Sequence, residues 1–165
     1  MAKTYEPIAT TTLGSAAPSV TFSSISGSYT DLVLVMSIRG SSDIESDIGM
    51  QLNSDTGSNY SMQRIYGQGA SAGSDRTSNS TSINFGRQGG DSFALNIMHL
   101  MDYANTTTYK TILNRSGHAG TSSIVLANVG LWRNTAAIST ITLIQTGAQN
   151  YKAGCTFTLY GIASA

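Results

Sequence analysis

One stretch, Asp31 to Gly40 (DLVLVMSIRG), limits what this chain can fold into more than any other. Leu32, Leu34, Met36 and Ile38 alternate with Val33, Val35, Ser37 and Arg39. A strand sends successive side chains to opposite faces, so a run apolar on both faces predicts a strand covered on both sides. Thr30-Asp31 and Gly40-Ser41-Ser42 are turn chemistry and hold it to one sheet crossing. Ser123 to Arg133 (SIVLANVGLWR) repeats the pattern and predicts a second central strand.

The rest of the chain reads as strands laid beside these two. Val20, Phe22 and Ile25 suit a short strand, and Ile48 to Leu52 alternate with Gly49 and Gln51. Tyr60 to Tyr66 keeps strand period, as do Ile83 with Phe85, Ser92 to Tyr103, Tyr109 to Arg115, Ile138 to Thr146 and Cys155 to Ile162. Gly67 to Ser82 holds no apolar residue larger than alanine and predicts a long exposed loop. Residues 1–12 are extended in character, because Pro7 blocks a helix, and suit an edge strand or a free arm. About ten short strands with regular turns indicate an all-β fold. A two-sheet antiparallel sandwich of jelly-roll type is expected over residues 13–165, ahead of an up-and-down barrel.

Composition narrows the partners. Charged residues make up 11% of the 165 residues and the formal net charge is zero, where roughly 25% charged is usual. Strong periodicity without net charge argues for a folded domain. Nucleic acid would need a basic stripe and an anionic membrane a lysine or arginine cluster, and the chain has neither. No apolar run reaches the roughly 20 residues of a membrane helix, and MAKTYEPIAT lacks the apolar core of a signal peptide. The single cysteine, Cys155, lies in a strand pattern and reads as a buried, inert thiol.

Candidate chemical motifs fail on context. Gly69-Ala70-Ser71-Ala72-Gly73 matches the nucleophile-elbow letters, yet no helix follows to present Ser71. Gly90-Asp91-Ser92-Phe93 resembles the start of an esterase block that needs a histidine near the C-terminus, and none follows His118. Asp43, Glu45 and Asp47 share one side of an extended segment, but Ile48 and Ser54 stand where a calcium loop needs glycine and glutamate. His99 falls on an apolar strand face, which suits a core or subunit-interface histidine, and His118 reads as a solvated loop residue. No catalytic group, metal site or cofactor is expected. Alternation puts Trp132 on the core face with Ile124 and Leu126, while tyrosines such as Tyr60 and Tyr66 are open to sugar stacking.

The blocks YEPIATTTL, SYTDLVLVMSIRGS, NSDTGSNYS and FTLYGI resemble a diffuse group of tailed-bacteriophage virion proteins. These are small, neutral, Ser/Thr/Gly-rich β-proteins, and the likeness covers the first third and both ends. The resemblance implies a capsid cement or decoration protein on the outside of the shell. It would be a homotrimer clamping the major capsid protein, with Lys3, Tyr5 and Glu6 as contacts of an extended N-terminal arm. The alternative it implies is a tail-fibre or receptor-binding tip, with Tyr60, Tyr66 and the Gly67–Ser82 loop facing carbohydrate.

Overall fold

The computed structural model describes residues 4–40, 46–88, 90, 92–120, 123–147 and 149–163. Among them there is no helix. The strands are β1 (Tyr5–Thr12), β2 (Ser19–Phe22), β3 (Asp31–Ile38), β4 (Ser46–Leu52), β5 (Tyr60–Gln68) and β6 (Ser71–Ser80). They continue with β7 (Ile83–Gln88), β8 (Ala94–Met101), β9 (Lys110–His118), β10 (Ile124–Trp132), β11 (Ile141–Gln145) and β12 (Thr156–Ile162). An eight-stranded sheet has the order β1-β12-β3-β8-β9-β10-β5-β6, and a four-stranded sheet the order β2-β11-β4-β7. All neighbouring strands are antiparallel, so the fold is the expected two-sheet sandwich of jelly-roll type, with unequal sheets.

The core lies between the sheets. Leu32, Leu34, Met36 and Ile38 of β3 are fully buried against residues such as Ile48, Met50, Ile141 and Leu143 of the small sheet. Each such side chain stabilises the fold by roughly 1.5–3 kcal/mol on burial. Val33, on the other face of β3, is also buried, as its doubly apolar sequence requires. The thiol of Cys155 is buried too, and it accepts a hydrogen bond from the Arg39 amide at 3.2 Å.

Two aromatic anchors pin the ends of the sandwich. Trp132 stacks on Tyr60 with centroids 6.4 Å apart, and both rings are fully buried. The indole Nε1–H donates to the Asp55 carboxylate at 2.7 Å, tying the β4–β5 connection to the end of β10. That carboxylate also accepts from the Gly57 amide at 2.8 Å and from Asn59 Nδ2 at 2.9 Å. Burial pushes the Asp55 carboxyl up, but the bonds from Trp132, Asn59 and Gly57 outweigh it and hold it below its ordinary value. At the other end Tyr151 meets Phe157 edge-on at 5.1 Å.

Polar side chains occupy part of the core. The register of β4 and β7 slips between Ile48 and Gly49, opposite the Asn84–Gly86 segment. The Phe85 carbonyl there accepts Asn114 Nδ2 at 2.6 Å, and the Asn84 carbonyl accepts Asn128 Nδ2 at 3.1 Å. Asn114 and Asn128 face each other across β9 and β10, so the large sheet offers side-chain amides where β7 has no neighbouring strand.

Two expectations change, and one left open between two forms is decided. The segment Gly67 to Ser82 is not a loop: β5 turns through Gly69-Ala70 into β6, and the two strands pair from Gln68–Ser71 to Tyr60–Ser80. Gly69 takes a positive φ of 56°, as a two-residue hairpin turn demands. His118 ends β9 and is buried rather than solvated, because that strand runs on past Arg115. Within residues 1–12, Tyr5–Thr12 is the edge strand, paired along β12 from Tyr5–Ile162 to Thr12–Thr156.

Candidate functional site

The large sheet has a second face, turned away from the small sheet. The strand register lines its outward residues into rows that cross the sheet. One row runs Tyr160, Val33, His99, Leu113, Val129, Gln63. The next runs Thr158, Val35, Ile97, Arg115, Ala127, Ile65, and a third runs Thr156, Ser37, Leu95, Gly117, Val125, Gly67. Apolar residues cluster within these rows, broken between β8 and β9 by His99, Arg115 and Gly117.

Much of this apolar surface is open. Val125 is 66% exposed, Ile65 61%, Leu95 57% and Leu113 46%. The second central strand, β10, is thus covered on one face only, against the expectation from its sequence. Near the middle of the face a hollow of about 300 Å³ is lined by Tyr5, Val33, Ile97, His99, Leu113 and Arg115. Ile65 and Val125 stand to one side of it, on β5 and β10. His99 Nε2 lies 3.6 Å from Asp31 Oδ2, and at the edge Tyr5 meets Tyr160 edge-on at 6.5 Å. No lysine or glutamate occupies an outward strand position of this sheet among the described residues. Such a face can exclude water over a wide contact at little desolvation cost.

A polar cluster lies at the β5–β6 end of the inner face. Arg64 donates from Nε to both Asp75 oxygens at 3.1 Å and from Nη2 at 2.6 Å, while its Nη1 is 3.5 Å from Asp47. Arg87 Nε also lies 3.5 Å from Asp47. Burial alone would lower the Arg64 guanidinium, but Asp75 and Asp47 outweigh it and hold it above its ordinary value. Tyr66 sits beneath that guanidinium, 5.8 Å from ring centre to Cζ, beside a hollow of about 130 Å³. These charges satisfy one another, which suits a structural network better than a ligand site.

The residues expected to carry function separate. Tyr5 is exposed at the sheet edge and Glu6 is half-buried beside it, while Lys3 lies outside the described residues. Tyr60 is fully buried under Trp132 with its hydroxyl bonded to the backbone, so it meets no glycan; its ring is amphipathic enough to fill a core. Tyr66 is half-buried. Ser71 opens β6 as an exposed strand residue with no helix behind it. Asp43 and Glu45 lie outside the described residues, and Asp47 is engaged by Arg64 and Arg87. Among the described residues no group of three or more His, Cys, Asp or Glu is placed to hold a metal ion. The outer face itself was readable only in part: β3, β8 and β10 announce apolar residues on both sides, but nothing in them says which side stays open.

No family model matches the chain, and no curated protein matches it. Among solved structures it is similar to the galectin LEC-6 of Caenorhabditis elegans, with 9% identity, 94% of this chain and 96% of that chain covered, and a TM-score of 0.37. A likeness this distant carries no argument about function.

Proposed function

We propose that the chain is a structural protein of a tailed-bacteriophage virion: a cement or decoration protein on the outside of the shell, trimeric, that ties neighbouring major capsid subunits together. The observation that supports a structural role best is the open, largely apolar outer face of the eight-stranded sheet, on which Arg115 and the Asp31–His99 pair are set among exposed aliphatic side chains. A surface of that kind serves lasting contact between folded proteins, since it offers few polar groups to orient a small substrate. On this reading the protein has no enzymatic activity and acts by mass action. Each copy adds moderate contacts, and multivalency turns them into shell stability.

Tyr5 and Glu6 suit a contact at the edge of the sheet, but through side chains on a docked strand instead of a loose arm. Pro7 in that edge strand removes a backbone donor and limits strand addition by a neighbour. The glycan-binding alternative loses Tyr60 to the core and its long loop to β6, which leaves it Tyr66 and the exposed Tyr109.

The test is the copy number of this chain relative to the major capsid protein, by quantitative mass spectrometry of purified virions. A ratio near one supports the cement role. A handful of copies per particle moves the chain to the tail, and absence from the particle ends the virion reading.

A further inference from the structure

We infer that the sandwich binds ordered internal water between β7 and the large sheet, held by Asn96, Asn114, Ser116 and Asn128. The inference concerns the domain itself and does not depend on the virion setting.

These four side chains occupy neighbouring inward positions of β8, β9 and β10. Asn96 stands opposite Ser116 and Asn114 opposite Asn128, while Asn114 and Ser116 share one face of β9. Each is more than nine-tenths buried. Asn114 Nδ2 donates to the Phe85 carbonyl at 2.6 Å and Asn128 Nδ2 to the Asn84 carbonyl at 3.1 Å. Asn96 Nδ2, Asn96 Oδ1, Asn114 Oδ1, Ser116 Oγ and Asn128 Oδ1 find no hydrogen-bond partner among the described residues. Folded proteins seldom leave buried polar atoms bare, because nothing then offsets the loss of their hydration.

A second amide cluster on β7 shows the contrast. Gln88 Nε2 donates to Ser46 Oγ at 2.8 Å, Ser46 Oγ to Gln145 Oε1 at 2.8 Å, and Gln145 Nε2 to Gln88 Oε1 at 2.7 Å. That ring satisfies itself. The Asn96 cluster does not, since its bare atoms are mostly amide oxygens and acceptors cannot bond one another. It also carries the bare amide donor of Asn96, so its guest has to donate and accept alike. Water does both. A cation would take the oxygens and leave Asn96 Nδ2 facing a like charge. At about three bonds per buried water, roughly two waters complete the cluster.

Short side chains make the space. Sheets of a sandwich pack about 10 Å apart, and here Gly86 of β7 faces Asn96 and Ser116. A β-carbon on Gly86 would meet Ser116 Oγ at 2.8 Å and collide with Asn96 Oδ1, so the polar atoms gather against bare backbone. Phe85 is left out of the β4–β7 ladder between Asn84 and Gly86, which bends β7 at this point.

The experiment joins a high-resolution crystal structure of the full chain to magnetic relaxation dispersion of water oxygen, which counts waters that stay bound longer than the protein tumbles. Asn96→Leu and Ser116→Ala remove polar atoms of the cluster, and Thr21→Ala, on the exposed side of β2, is the control. The expected result is water within hydrogen-bond reach of Asn96 and Ser116, and a long-lived signal that Asn96→Leu lowers by about one to two waters. The control should keep the parent's signal. A dry cluster whose amides bond one another directly overturns the inference, as does a folded Asn96→Leu variant with the full signal. A guest bound by the oxygens alone, with a melting temperature that falls when sodium, potassium and calcium are replaced by choline, refutes water in favour of a cation. Should Asn96→Leu fail to fold, Ser116→Ala decides: a signal lower by about one water supports the site, and an unchanged one refutes it.

Discussion

Asp55 is the position where one substitution tests the description of the fold most directly. Asp55→Ala deletes the acceptor of the Trp132 indole N–H and of the Gly57 and Asn59 donors. The last two sit in an exposed turn and can turn to water, so they contribute little. Trp132 is fully buried, and its stranded N–H costs about 2 kcal/mol, in the range for a lost bond to a charged group. Relaxation of the turn over Tyr60 brings the total to roughly 3 kcal/mol, or a melting temperature lower by about 6–12 °C for a chain of this size. Asp55→Asn keeps one acceptor and should lose about 1 kcal/mol. Urea unfolding at pH 7 followed by tryptophan fluorescence measures both, and Trp132→Phe completes a double-mutant cycle. The effect also has a pH signature. The folded carboxyl is held below its unfolded value, so its stabilisation is present above the ordinary carboxylate pKa and is lost as pH falls through the folded one. Parent and Asp55→Ala stabilities should therefore converge in acid. An Asp55→Ala protein within about 0.5 kcal/mol of the parent at pH 7 would falsify the anchor.

Burial pushes the Tyr60 hydroxyl up to about 12, and burial also raises Tyr103 and Tyr151. Their folded values lie above the unfolded one, so stability is whole below pH about 10 and falls as pH rises through the folded values, by up to about 1.4 kcal/mol per pH unit for the most deeply buried hydroxyl. Absorbance at 295 nm should show three tyrosines that ionise only as the chain unfolds; smooth titration of all eight would contradict the burial. Gly130→Ala places a methyl 2.6 Å from Ile83 Cγ2 and 3.2 Å from Phe85 Cζ, and should cost about 1–3 kcal/mol in urea; an unchanged midpoint would mean β7 packs less closely on β10. Cys155 should resist a thiol reagent in native buffer and react at once in denaturant, and rapid native labelling would show its strand end opening. Removing residues 1–12 bares the edge of β12 and takes Ile8 off the core, so the truncated chain should melt lower, whereas an unchanged melting temperature would mean that β1 is only loosely docked.

The strands with apolar residues were legible because their positions must bury something. β3 could hardly be anything else, and Trp132 fell on the core face that its spacing from Ile124 and Leu126 predicts. β6 escaped because an edge strand needs only the backbone bonds that β5 supplies, so it can be built from serine, glycine and asparagine. Alternation put Asn128 on the core face with Leu126 and Trp132, but what its amide and that of Asn114 would bond there was not legible, since the irregular stretch of β7 that takes up both leaves no mark in the sequence. Ile138 and Ile25 are buried beyond the strands they seemed to belong to, which period alone cannot show. For the outer face, sequence gave the residues and the three-dimensional register gave their adjacency.

The pairing of β1 with β12 has a consequence of its own. The Ala163 amide donates to the Thr4 carbonyl at 3.2 Å, so the main chain enters and leaves this domain through a single gap. A host protein could carry the whole sandwich as a plug spliced into one of its surface turns, with no spacer longer than the few ångströms between adjacent strands. The same geometry permits a rewired chain: a short bridge across that gap, with new ends opened in the Gly69-Ala70 turn, would preserve every strand pair in both sheets.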